Sequence, residues 1–191
     1  VYFGAGFEQN RLDVDSNTPQ SYQDYVNQFG RVSNTVPLTV AWSRDARDSA
    51  LIPSRGYFTQ ANMEYGVPVG KIQYYKADLQ AQYYYSFSRG FILGLNLQGG
   101  YGNGIGNPYP IFKNYYAGGI GSVRGYEPSS LGPRDTKTND PIGGSKMVVG
   151  NIELTFPLPG TGYDRTLRAF AFLDGGNVWG LFLIQISDAK K

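Results

Sequence analysis

Two residue types that carry much of protein proton and thiol chemistry are missing here: the chain has no cysteine and no histidine. Without cysteine there is no disulfide framework and no thiol nucleophile. Without histidine the commonest general base and the commonest metal ligand are gone. No run of about 18 or more apolar residues occurs, which excludes a helical membrane span. Seventeen basic against fifteen acidic side chains leave a net charge of +2, so no nucleic-acid partner is implied. A hydrolase would be left with a Ser–Lys pair, a carboxylate pair or an unusual nucleophile. Val1, Tyr2 and Phe3 already read as strand, so the expectation is a piece of a longer protein.

Glycine (26) and tyrosine (16) are abundant, and the length of 191 residues allows one domain. Alternation of period two runs through most of the chain. In residues 1–9, Val1, Phe3, Ala5 and Phe7 oppose Gly4, Gly6 and Glu8. Leu38, Val40 and Trp42 alternate with Thr39, Ala41 and Ser43. Tyr57, Thr59, Ala61, Met63 and Tyr65 oppose Phe58, Gln60, Asn62 and Glu64. Tyr75, Ala77, Leu79, Ala81 and Tyr83 oppose Lys76, Asp78, Gln80 and Gln82. Phe91, Leu93, Leu95, Leu97 and Tyr101 oppose Gly94, Asn96 and Gln98. These last three strands have the length, about 10 residues, that a tilted strand needs to cross a bilayer. Aromatic rings bracket each apolar row, as expected where an apolar belt meets water on both sides. A tyrosine-rich soluble sandwich would give no reason for that bracketing. The fold class expected is all-β, an antiparallel transmembrane β-barrel.

Later strands follow the same rule. Val148, Ile152, Leu154 and Phe156 share one face, and Met147, Val149, Asn151, Glu153 and Thr155 the other. Leu167, Ala169, Ala171 and Leu173 oppose Arg168, Phe170, Phe172 and Asp174. Connections set the orientation, because such barrels have short periplasmic turns and long external loops. The junction at residues 87–90 is short and reads as periplasmic. Residues 102–146 form a long external loop, and the polar stretch 10–34, with one helical turn near 21–29, falls outside too. Residues 44–56 read as a charged turn and 157–163 as another.

One stretch breaks the pattern. Residues 115–133, YYAGGIGSVRGYEPSSLGP, hold five glycines and a single arginine. Glycine permits positive φ and close approach, so Gly118, Gly119, Gly121 and Gly125 argue for a folded loop rather than a floppy one. Its centre is Val123-Arg124-Gly125-Tyr126, and Arg124 is a fixed fork of donors in want of acceptors. The string GG-x-GSVRGYE followed by SLGP resembles the signature loop of the BamA family, outer-membrane barrels that insert other barrel proteins. Related loops occur in TamA-like assembly proteins and in two-partner secretion translocators of the TpsB type. NIELTFPLPG, FAFLDGGNVW and the PSRG turn before residue 57 resemble the same family.

The resemblance implies that residues 102–146 fold into the lumen and that Arg124 is held there by Glu153 and Asp174. Period-two parity points both carboxylates inward independently. Read without the family, those carboxylates could be a hydrolytic pair. GNGIG at 102–106 imitates a phosphate loop but lacks the Lys-Ser/Thr and the following helix. The resemblance further implies roughly sixteen strands, of which this chain supplies about eight, and amino-terminal POTRA domains. LFLIQISDAKK, residues 181–191, resembles the family's penultimate strand. It leads to the expectation of a missing strand between Gly180 and Leu181. Function is expected to be assembly of β-barrel proteins, with strands templated at a lateral seam and no cofactor. Membrane lipids, unfolded clients and accessory lipoproteins are the partners implied. A secretion translocator, a TamA-like protein and a diffusion porin are the competing readings.

Overall fold

The computed structural model describes residues 1–68, 72–158 and 167–180. The elements are β1 (Tyr2–Ala5), β2 (Glu8–Arg11), α1 (Gln20–Phe29), β3 (Val32–Asp45), β4 (Gly56–Pro68), β5 (Tyr74–Ser88), β6 (Phe91–Gly104), a 3₁₀ turn (Ile111–Lys113), β7 (Lys146–Pro157) and β8 (Arg168–Trp179). Among the described residues the strands form one antiparallel sheet, ordered β1-β3-β4-β5-β6-β7-β8, with β2 also on β3. From β2 onward each strand pairs with the next in sequence, while β1 also pairs with β3, so the sheet is an antiparallel meander.

Register carries the apolar face unbroken across the sheet. Val40 pairs with Met63, Ala61 with Leu79, Ala81 with Leu97, Leu95 with Ile152 and Ile152 with Leu173. Side chains opposite one another in a ladder lie on the same face. Tyr75, Tyr83, Leu93 and Leu154 fall on this face as well. The opposite face collects Gln80 with Gln98, Gln82 with Asn96, Asn96 with Asn151 and, diagonally, Glu153 and Asp174. Met63 is 62% exposed and Leu173 69%. An apolar face of this extent left in water would be a large aggregation-prone patch. In a bilayer it is the lipid surface, and the polar face is the lumen.

Four boundaries depart from the sequence reading. The strand expected at residues 1–9 splits into β1 and β2, although the register continues from Ala5 opposite Leu38 to Glu8 opposite Thr35. The break faces Pro37, which has no N–H to give to the ladder and is left accepting from the Gly6 amide at 3.1 Å. β2 and β3 both reach into the stretch expected as loop, narrowing residues 10–34 to 12–31. The single helical turn there is a ten-residue helix. Pro19 precedes α1 and Gly30 ends it, donating to the Val26 carbonyl at 2.8 Å. Tyr22, Tyr25, Val26 and Phe29 follow helical spacing and give it one apolar face. The long loop is 105–145 rather than 102–146, because β6 runs to Gly104 and β7 starts at Lys146. The charged turn is 46–55 rather than 44–56, because β3 runs to Asp45 and β4 starts at Gly56. Residues 181–191, the link between Gly180 and Leu181, and most of the turn at 157–163 lie outside the described residues.

Candidate functional site

The long loop does not stand away from the sheet. It lies against the polar face, and three short bridges give it internal structure: Tyr115 with Gly144, Ala117 with Leu131 and Arg134 with Pro141. Its hydrophobic anchor is small. Tyr115, Ala117 and Val123 bury themselves against Val149 of β7 and Val178 of β8, flanked by Leu131 and Met147. Val149 and Val178 are apolar members of a largely polar face, which is how that face receives a loop.

Two residues of β6 make room for it. A side chain at Gly100 would collide with the Tyr115 ring, and one at Gly102 with the Tyr109 ring. With that space open, Tyr115 reaches across the polar face and its hydroxyl donates to Asp78 at 2.7 Å. The Lys76 ammonium sits 4.3 Å above the same ring. The GNGIG run at 102–106 therefore begins as strand, with Gly102 serving packing.

Arg124 sits at the centre. Its Nε donates to Asp174 Oδ2 at 2.7 Å and its Nη2 to Asp174 Oδ1 at 2.8 Å, the two parallel bonds of a guanidinium–carboxylate fork. Its backbone N–H donates to the same carboxylate at 2.9 Å. Nη1 reaches Glu153 Oε2 at 2.6 Å. The guanidinium plane lies 3.7 Å above the Phe172 ring. Phe172 is the ladder partner of Glu153, and Asn151 that of Asp174. Four neighbouring lumen positions on β7 and β8 thus form one receptacle. Asn151 completes it, donating to the Ser122 carbonyl at 2.6 Å while accepting from Asn96 at 2.7 Å. The Asp174 side chain is 2% exposed, Arg124 20% and Glu153 40%. The carboxylates hold Arg124 more firmly cationic than a free arginine, with Asp174 contributing most.

The loop glycines divide by what they do. Gly118 has φ +116°, and a Cβ there would strike the Glu127 carbonyl. Gly119 and Gly125 also take positive φ, at 88° each. At Gly121 φ is ordinary and nothing lies within 4 Å, so packing does not demand glycine. Val123 is buried, whereas Tyr126 is 56% exposed.

Sequence reasoning missed a second set of contacts, nearer the long-loop end. Lys113 Nζ bonds Glu64 of β4 at 2.8 Å and Glu8 of β2 at 2.9 Å. Tyr74 donates to Glu64 at 2.6 Å. Around them Tyr25, Phe29, Ile72, Tyr74, Tyr109, Ile111 and Phe112 form a cluster that seats α1 on the loop. Polar bonds finish the seat. The Gln20 amide donates to Asp135 at 2.8 Å, Lys137 to Gln20 at 2.7 Å, and the Tyr22 and Tyr116 hydroxyls meet at 2.6 Å. The inward parity of Glu8 and Glu64 was visible in the sequence; their shared cation, over a hundred positions from Glu8, was not.

A lipid-exposed apolar face, an opposite polar face and a long loop packed on that polar face define a segment of an outer-membrane β-barrel. Residues 1–182 match the Omp85 superfamily domain, and the chain belongs to that superfamily. It is 36% identical to the outer membrane protein assembly factor BamA of Neisseria meningitidis over 192 residues, covering 94% of this chain and 24% of that protein. It is 32% identical to the mouse sorting and assembly machinery component 50 homolog over 150 residues, covering 75% of this chain and 32% of that one. The crystal structure of BamA from Haemophilus ducreyi lacking POTRA domains 1–3 superposes with a TM-score of 0.83 at 22% identity. That match covers 93% of this chain and 38% of the other, and shows the shared fold. The chain therefore spans about a quarter of the Neisseria relative's length.

Proposed function

We propose that the protein to which this chain belongs assembles β-barrel proteins in the outer membrane of a Gram-negative bacterium. An incoming strand pairs with an open edge of the barrel seam, and backbone hydrogen bonding is the working chemistry. The observation carrying this reading is similarity to an assembly factor along nearly the whole chain, 94% of it. The loop at 105–145 is the external one, folded back into the lumen, with the turns at 46–55 and 89–90 on the periplasmic side. The Val123-Arg124-Gly125-Tyr126 segment is its functional centre, and Glu153 and Asp174 are the acceptors that keep Arg124 in the lumen.

The reaction is non-enzymatic. Both oxygens of Asp174 and one of Glu153 accept from Arg124, which argues against hydrolytic use of the pair. Unfolded outer-membrane proteins are the clients and accessory lipoproteins the helpers; no cofactor is needed. The alternative from the same superfamily is a translocator or a TamA-like assembly protein.

The test is reconstitution of the full-length protein in proteoliposomes with a urea-unfolded barrel client. Folding is read as the client's shift to a heat-modifiable band on a gel. Accelerated folding is expected, reduced in Arg124→Ala. No acceleration, together with export of an unfolded passenger through the same vesicles, would transfer the assignment to the translocator.

A further inference from the structure

The short-turn end of the sheet has a charge surplus that the lock does not use. Arg44, Arg47, Arg55, Arg89 and Arg168 gather there against only Asp45 and Asp48 among the described residues. Both aspartates are committed. Asp45 is paired with Arg47 at 2.7 Å, and Asp48 accepts from the Ser54 hydroxyl and from the Ser54 and Arg55 amides. The side chains of Arg44, Arg55 and Arg89 are exposed and form no hydrogen bond or ion pair among the described residues.

Arg44 is the informative one. Its ladder partner is Thr59, which places it on the apolar face beside Trp42 and Val40. A guanidinium on the lipid side of a barrel is costly unless it lies at the interface and reaches outward. Arg44 lies at that depth. Its guanidinium is 5.5 Å from the centre of the Tyr57 ring, and Tyr57 pairs with Tyr83 in the same girdle. The girdle continues along this rim, where Phe91 stands between Phe87 and Phe156 at centroid distances of 5.8 Å and 6.3 Å. Aromatic rings at headgroup level beside unpaired arginines match an anionic lipid: rings for the glycerol region, forks for the phosphate.

We propose that this rim, along which Arg44, Arg55 and Arg89 follow one another from β3 to the β5–β6 turn, is a binding surface for the phosphate of an anionic glycerophospholipid in the inner leaflet. The proposal rests on the orientation given above, which sets the short turns on the periplasmic side. Arginine fits better than lysine, because a planar fork can hold two phosphate oxygens and stack on Tyr57 at once. The bound lipids would anchor this wall of the barrel at a fixed depth.

The experiment uses the full-length protein in detergent, with phosphatidylglycerol, phosphatidylethanolamine and lipid A as probes and native mass spectrometry as readout. Phosphatidylglycerol is expected to bind in preference to phosphatidylethanolamine. Arg44→Gln should weaken it roughly 5-fold, the size expected for one basic residue at an anionic surface. The Arg44→Gln/Arg55→Gln/Arg89→Gln variant should erase the preference, and Lys146→Gln, at the opposite end of β7, should leave it intact. Heat-modifiability of each variant reports folding, and the single substitution decides if the triple variant does not fold. Equal binding of the two phospholipids by the wild type, or an unchanged preference in Arg44→Gln, overturns the proposal. Lipid A competing as well as phosphatidylglycerol overturns the choice of leaflet. Orientation is read separately, by labelling Leu51→Cys in intact cells with an impermeant maleimide. Labelling there refutes the periplasmic placement while leaving phosphate binding to stand or fall on its own data.

Discussion

Removing the Arg124 side chain is the sharpest test of the lumen receptacle. Arg124→Ala deletes three side-chain hydrogen bonds and the stack on Phe172. The larger consequence falls on Asp174, whose side chain is only 2% exposed. Breaking a buried pair from one side costs about 3–5 kcal/mol, because the remaining charge stays desolvated. Glu153, at 40% exposure, can return to water and adds only about 0–1 kcal/mol. The Arg124 backbone N–H still donates to Asp174 in the variant, so the lower end, about 3 kcal/mol, is expected. Arg124→Lys should recover part of this, since an ammonium keeps the charge but not the fork. Asp174→Asn should cost more than Glu153→Gln, in the order of their burial. Thermal unfolding of the full-length protein in detergent, run as a double-mutant cycle, measures each value. If Arg124 and Asp174 act as a unit, the double variant loses no more than the worse single one. Additive losses, or a Glu153→Gln effect exceeding that of Asp174→Asn, would refute the argument that burial of Asp174 gives the lock its strength.

Gly100→Ala should destabilise by about 1–3 kcal/mol, the cost of overpacking, because its methyl meets the Tyr115 ring. Gly99→Ala, next to it on the lipid face, should be tolerated. The same thermal scan compares the two, and tyrosine fluorescence reports whether Tyr115 leaves Asp78. Lys113→Met should cost about 1.5–3 kcal/mol, the range for a hydrogen bond to a charged group, and raise protease sensitivity in residues 105–113. Asp48, in the turn at 46–55, is held at about 2 by the Ser54 hydroxyl and then by the Ser54 and Arg55 amides. Its folded value lies below the unfolded one, so its contribution is present above about pH 4 and is lost as pH falls toward its folded value. Asp48→Asn should flatten the acid limb of turn order, followed by amide exchange of Ser54 and Arg55.

Period-two alternation by itself determined the all-β class, the two faces and the inward parity of Glu153 and Asp174. Those properties are local: each residue's face follows from its neighbour's, so Leu95 and Gln98 could be assigned before any pairing was known. Glycines and the lone arginine marked the loop, and the resemblance linked Arg124 to its acceptors. Where alternation weakened, the boundaries slipped. Pro37 hid the break between β1 and β2, and the polar residues of α1 masked its apolar stripe. Only the tertiary structure decided that Phe172 lies beneath the guanidinium and that Asp174 is nearly buried while Glu153 is half open. It alone joined Lys113 to Glu8 and Glu64, and seated α1 on the loop. Each of these depends on inter-strand register and on where a forty-residue loop lands. Both are fixed by contacts far apart in the chain, to which a local pattern is blind.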